Sequence, residues 1–155
     1  PRAIRDVYKR QELVEDYPDM VWETSHTKGH RFAPSVMLMP WGYSFGRMNK
    51  EAAAQMIAAA ARGKYFYPVN RGRGIFGPRG QVAELAVARA LIDAGEELSY
   101  GQLTATDSGE VSHIDGRRWR VTLEEREVEG VVSSCGDAPK TGQAIVATGV
   151  EPVAG

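Results

Sequence analysis

Cysteine is almost missing from this chain: Cys135 is the only one in 155 residues. An internal disulfide framework is therefore excluded, a lone thiol fits a reducing, cytoplasmic compartment, and a thiol oxidoreductase lacks the second member of a Cys-x-x-Cys pair. An excess of charge of one sign is missing too. The net charge is −1, and residues 1–11 carry Arg2, Arg5, Lys9 and Arg10 against Asp6 alone, a net +3, so the remainder carries −4. A mildly acidic body argues against nucleic-acid binding and suits an electrostatically steered partner protein. No run approaches the roughly eighteen apolar residues of a membrane-spanning helix, so no membrane partner is expected, and no signal-peptide pattern is visible in residues 1–155. Carboxylates lack a focus. Glu12, Glu15 and Asp16 lie near the start and Glu124, Glu125, Glu127 and Glu129 crowd one strand, none beside an aromatic sugar-stacking cluster, so no hydrolase activity is expected.

What is present is enough for one core. With 43% hydrophobic residues over this length, the chain can bury a sizeable interior as one domain. Residues 35–47 read as an apolar strand, a Pro40-Trp41-Gly42 turn and a second strand, that is, a hairpin. Asn49 is placed to cap a helix over Lys50 to Arg62, with Gly63 as its left-handed stop. This helix is rich in alanine and offers only Met56 and Ile57 as bulky anchors, so it must lie close to the sheet. Pro78 opens a second helix that stops at Gly95, and Val82, Leu85, Ala86, Leu91 and Ile92 are spaced to share most of one face. The runs 102–106, 110–114 and 119–127, separated by Asp107-Ser108-Gly109 and Asp115-Gly116, predict a small antiparallel meander. From Gly130 onward a loosely structured segment is expected, with residues 141–155 as a flexible tail. The expected class is α/β in the α+β sense.

Two of the three histidines stand four residues apart in Trp22-Glu-Thr-Ser-His26-Thr-Lys28-Gly-His30-Arg31-Phe-Ala-Pro34. Imidazole is the commonest neutral metal ligand, and this spacing can bring both rings to one ion. Val21, Trp22 and Thr24 favour a strand, while Gly29 and Pro34 interrupt a helix, so the pair belongs to a loop. A zinc-protease reading needs Glu directly after the first histidine, and Thr27 stands there. The alternative is that the two fell together by chance and make ordinary surface hydrogen bonds.

The run Val21-Trp22-Glu23, Ser25-His26, Gly29-His30-Arg31-Phe32-Ala33-Pro34, Pro40, Gly42 and Gly46-Arg47, with Arg71-Gly72-Arg73 and Ser134-Cys135-Gly136 further on, resembles the sucrase/ferredoxin-like family of thioredoxin-like iron-sulfur proteins. That resemblance implies a partial thioredoxin-like fold, strand, hairpin and helix, with Ala33-Pro34 as the cis bond beside the active site. It implies an electron-transfer function, with His26 and His30 as metal ligands to one iron of a two-iron two-sulfur cluster. Lys28 and Arg31 would stand behind them as cofactor-binding cations, and an unidentified redox protein would be the partner. Two departures stand out. Lys28 replaces the first of the family's paired glycines, and the two upstream cysteines that hold the other iron are absent. Residues 4–11 resemble a translated adaptor, so residues 1–11 are read as a non-native head on an N-terminally truncated fragment, and 12–140 as its single domain. In that case no cluster is expected in this fragment, since such a cluster needs four ligands. The competing class is a metal-free thioredoxin-like binding or interaction module whose loop docks a partner.

Three further features carry less. Gly72-x-Gly74-x-x-Gly77 fits a dinucleotide fingerprint, but Pro78 starts the helix after the glycines instead of letting the third lie within it. Arg71 and Arg73 either meet an anionic partner or are solvated loop charges. His113 and Cys135 are expected to be a surface histidine and a packed thiol.

Overall fold

In the computed structural model, which describes residues 13–22, 24, 32–132 and 138–154, alternation over the first hairpin sends one side of each strand inward. Strand β1 (Ser35–Leu38) pairs antiparallel with β2 (Tyr43–Gly46), Val36 opposite Phe45 and Leu38 opposite Tyr43. Tyr43 and Phe45, two apart on β2, point the same way and are fully buried. Gly42 closes the turn at φ 75, a conformation that favours glycine, and donates its N–H to the Leu38 carbonyl at 2.9 Å.

The first helix follows as its caps dictate. Asn49 Oδ1 accepts the Ala52 N–H at 2.7 Å, α1 runs Lys50–Ala61, and Gly63 takes φ 70 beyond its end. Ala53 and Met56 are its buried residues and join the core, but the helix makes little contact with the strands, so the close approach to the sheet expected from its small side chains is corrected: the second helix packs there instead. Strand β3 (Asn70–Arg73) then joins β2, completing a sheet of order β1-β2-β3. The second helix, α2 (Pro78–Asp93), has Gly77 at its N-cap and Pro78 in its first turn. Its buried face is Gly80, Ala83, Glu84, Val87, Ala88 and Leu91, whereas the expected Val82, Leu85, Ala86 and Ile92 are only half-buried at its margins.

The meander is β4 (Leu103–Ala105), β5 (Glu110–His113), β6 (Arg118–Val131) and β7 (Lys140–Pro152), antiparallel in the order β4-β5-β6-β7. Here the loose tail expected after Gly130 is corrected: Lys140–Pro152 is a strand paired along β6 from Trp119↔Pro152 to Val131↔Lys140. Gly142, Gly149 and the alanines weaken the strand preference of this segment, although Ile145, Val146, Thr148 and Val150 favour a strand, and β6 supplies the ladder. Helix α2 contacts β3 and every strand of the meander, so one core joins Tyr43 and Phe45 to Met56, Val87, Leu91, Leu103, Val111 and Val121. The fold is α+β with a four-stranded meander. Among the described residues, no helix is long and apolar enough to cross a membrane.

Candidate functional site

His26, Lys28, His30 and Arg31 lie outside the described residues, as does Cys135. The structure describes both ends of the segment that carries the histidines. Upstream, a helical turn at 13–16 buries Leu13, and the Val21 N–H reaches the Tyr17 carbonyl at 3.0 Å, which packs Val21 on the core. Trp22, next in the chain, is 81% exposed. Downstream, the Phe32 carbonyl accepts the Arg47 N–H at 2.7 Å and the Pro34 carbonyl accepts the Met48 N–H at 3.0 Å. The Arg71 guanidinium carbon lies 3.8 Å above the Phe32 ring centre. Gly46 makes this layering possible: a Cβ there would stand 3.0 Å from both Phe32 Cβ and Arg71 Cδ. Arg47 holds φ 57, uncommon for a side chain-bearing residue, where its N–H meets Phe32. The Ala33-Pro34 bond is cis, as expected, and so is Met39-Pro40.

The described residues contain no group of three or more His, Cys, Asp or Glu able to hold a metal ion. Judged by donor chemistry, His26 and His30 fit the imidazole half of a two-iron cluster, and Cys135 is the one thiol in the chain. His113 is half-buried and tied into surface charge: its Nδ1 lies 2.9 Å from Asp115 Oδ1, and Arg117 bridges Asp115 and Glu96. The Arg117 backbone N–H above all, then the hydrogen bonds of the His113 and Arg117 side chains, hold the Asp115 carboxyl down to about 2. Among the described residues, this network brings His113 into no group of three or more metal-ligating side chains.

The glycine fingerprint is answered by the fold. Asp107, in the β4–β5 turn, accepts the Gly80 N–H at 2.7 Å, so the start of α2 is already occupied by the protein's own carboxylate. A Cβ at Gly77 would fall 2.0 Å from Asp107 Oδ2. These glycines make room for a cap, and a phosphate would have to displace it.

One polar cluster was missed at the level of sequence. Glu84 of α2 is fully buried and accepts a short hydrogen bond from the Tyr43 hydroxyl through Oε1, while its Oε2 and the Tyr65 hydroxyl have no hydrogen-bond partner among the described residues. Tyr43, Tyr65 and Tyr100 surround one another at ring separations of 5.1 to 5.3 Å, and Trp41 stacks on Tyr100. Tyr100 accepts the Phe66 N–H at 3.0 Å. Arg73 is anchored to the Trp41 carbonyl at 2.9 Å with its guanidinium 5.8 Å from the Tyr43 ring. Burial pushes the Glu84 carboxyl up to about 7, against the pull of the Tyr43 hydrogen bond and the Arg73 charge. Burial first, then the charge of Glu84, drives the Tyr43 and Tyr65 phenols well above the ordinary tyrosine range. The missed signal was spacing: Glu84 precedes Val87, Ala88 and Leu91 by three, four and seven residues, which puts an acid on the inward stripe. No family model matches this chain, and no curated protein or solved structure does.

Proposed function

We propose that this protein transfers electrons through a two-iron two-sulfur cluster of which His26 and His30 hold one iron, with two thiolates holding the other. The reading rests on the motif around the histidines. The observation that carries it is the clamp on Phe32, two residues after His30. Its carbonyl is bonded to Arg47, its ring is covered by Arg71, and Gly46 lets both come close. A loop whose ligands must converge gains from an end that is fixed. Lys28, Arg31 and Arg71 bring positive charge to the same stretch, which favours the more negative, reduced state. When bound, a cluster with two imidazoles in place of two thiolates supplies a one-electron couple raised in potential, as in Rieske centres at about −150 to +300 mV. Neutral imidazole nitrogens of His26 and His30 would ligate, and the second ring N–H of each would make electron transfer sensitive to pH. The acidic body suits a basic redox partner in a reducing cytoplasm.

The competing reading is a metal-free module that docks a partner through this loop. It is favoured by apolar side chains left exposed nearby, Trp22 at 81%, Met37 at 52% and Met39 at 64%. Anaerobic reconstitution of the protein with ferrous iron, sulfide and a small thiol to supply thiolate ligands separates the two. The cluster's visible absorbance is expected, and His26→Ala or His30→Ala loses it or shifts the potential, whereas His113→Ala does not. Unchanged spectra and potential in both loop variants overturn the electron-transfer reading.

A further inference from the structure

The distal part of the meander is built as an arm. Only Arg118–Arg120 of β6 pair with β5, so from Thr122 onward β6 and β7 form a two-stranded ribbon. Such a ribbon is marginal by itself in water. Strand β7 is the last in its sheet, and its outer edge has no strand partner among the described residues. Edge strands are ordinarily short or blunted by lysine, proline or inward charges. Here ten consecutive residues, Thr141 to Val150, carry neither charge nor proline, between Lys140 at one end of the strand and Glu151 near the other. The irregularity between Thr122↔Gly149 and Leu123↔Ala147 leaves residues 142–147 in regular register.

We propose that β7 pairs antiparallel with β7 of a second copy of this chain, about a twofold axis near Ile145, joining the two meanders into one sheet. Charge selects both the edge and the direction. Antiparallel self-pairing centred on Ile145 brings Lys140 of each copy beside Glu151 of the other, and uncharged residues meet between them. Parallel pairing would instead set Lys140 against Lys140. The open edge of β6 is the wrong one, because Glu124, Glu125, Glu127 and Glu129, with only Arg126 among them, would face their own copies. A twofold axis also makes the contact close on itself, giving a dimer and no fibre.

Variants at Val146 test this. Val146 stands opposite Glu124 within its own chain, so Val146→Lys is tolerated by the ribbon, yet it places two lysines close together across the axis. Sedimentation of the whole chain is expected to show a mass that rises with concentration to twice that of the monomer. Val146→Lys and Val146→Glu should each remain monomeric with unchanged circular dichroism. An equimolar mixture of the two should recover the dimer. A wild-type chain that stays monomeric at every concentration overturns the proposal, including the case in which the edge serves a strand from another protein. So does dimerisation of either charged variant at the wild-type midpoint.

Discussion

The surroundings of α2 and the outer ribbon of β6 and β7 treat polar atoms in opposite ways. Around α2, Glu84 and Tyr65 each bury an oxygen that finds no hydrogen-bond partner among the described residues, and burying such an atom is costly. Along the ribbon, Glu124, Glu125, Arg126 and Glu127 all stand in water. Ionisation therefore governs the first region and association the second. The sharpest way to break the contrast is to excavate the core itself. Phe45→Ala removes a fully buried ring from β2 and is expected to cost about 3 to 5 kcal/mol, read from chemical denaturation. A cost near zero would mean that β2 is not the floor on which the Glu84 cluster rests.

Next in size is the pH dependence of that cluster. The folded Glu84 carboxyl titrates near 7 against an ordinary 4.5, so between those values the folded state retains a proton the unfolded state has released. Stability is then highest below pH 4.5 as far as this group is concerned, and it declines as pH rises through 7. The difference between the two plateaus is on the order of 3 kcal/mol. Asp115, held down to about 2 in an exposed network, acts in the opposite sense and only at strongly acid pH. Glu84→Gln keeps an acceptor for Tyr43 and is expected to flatten the decline from pH 5 to pH 8. A wild-type stability that does not fall over that interval would show that water reaches the carboxylate.

How far these regions could be read beforehand follows from where each signal is stored. Helix α1 was legible because Asn49 and Gly63 are local signals, and the first hairpin because Tyr43 and Phe45 alternate around a Pro-x-Gly turn. Helix α2 was legible in extent but its inward face was misjudged, because the larger residues Leu85 and Ile92 outweighed Glu84 in the reading while the fold buried the smaller Ala83, Val87 and Ala88. Strand β3 was invisible, since Asn70-Arg-Gly-Arg73 has no apolar alternation and owes its extension to pairing with β2. Strand β7 was legible only in part: Ile145, Val146, Thr148 and Val150 favour a strand, but Gly142, Gly149 and the alanines between them read as loose chain. The histidine loop was legible as a motif of chemistry. Its geometry lies outside the described residues, and what the fold adds is the clamp on Phe32, carried by Gly46 and Arg71 from two other strands.

A smaller effect tests the seam between the two regions. Asp107, at the tip of the β4–β5 turn, caps α2 from across the core through the Gly80 N–H, and Arg79 answers by donating to the Asp107 carbonyl at 3.1 Å. Asp107→Ala is expected to cost about 1 kcal/mol, the usual worth of a helix cap, measured by thermal unfolding. Asp107→Asn retains an acceptor and should recover most of it. If both variants lose the same amount, charge at the helix start matters more than the hydrogen bond.

The smallest effect is expected on the ribbon. Arg126 contacts Glu124 at 3.1 Å, two residues away on the same strand, with both side chains more than half exposed. Such a pair gains little, because water screens it and two long side chains must be held in place. Arg126→Ala should therefore change stability by no more than about 0.5 kcal/mol. It also removes the one cation among four glutamates, so the remaining acids repel one another more strongly at low ionic strength. The expected outcome is a small loss in dilute buffer that fades as salt is added. A loss of the size expected for Asp107→Ala, or one that persists in high salt, would show that Arg126 packs its methylene stem across Val146 and Ala144 on the neighbouring strand, and that this face of the ribbon is less open than the exposure of its glutamates implies.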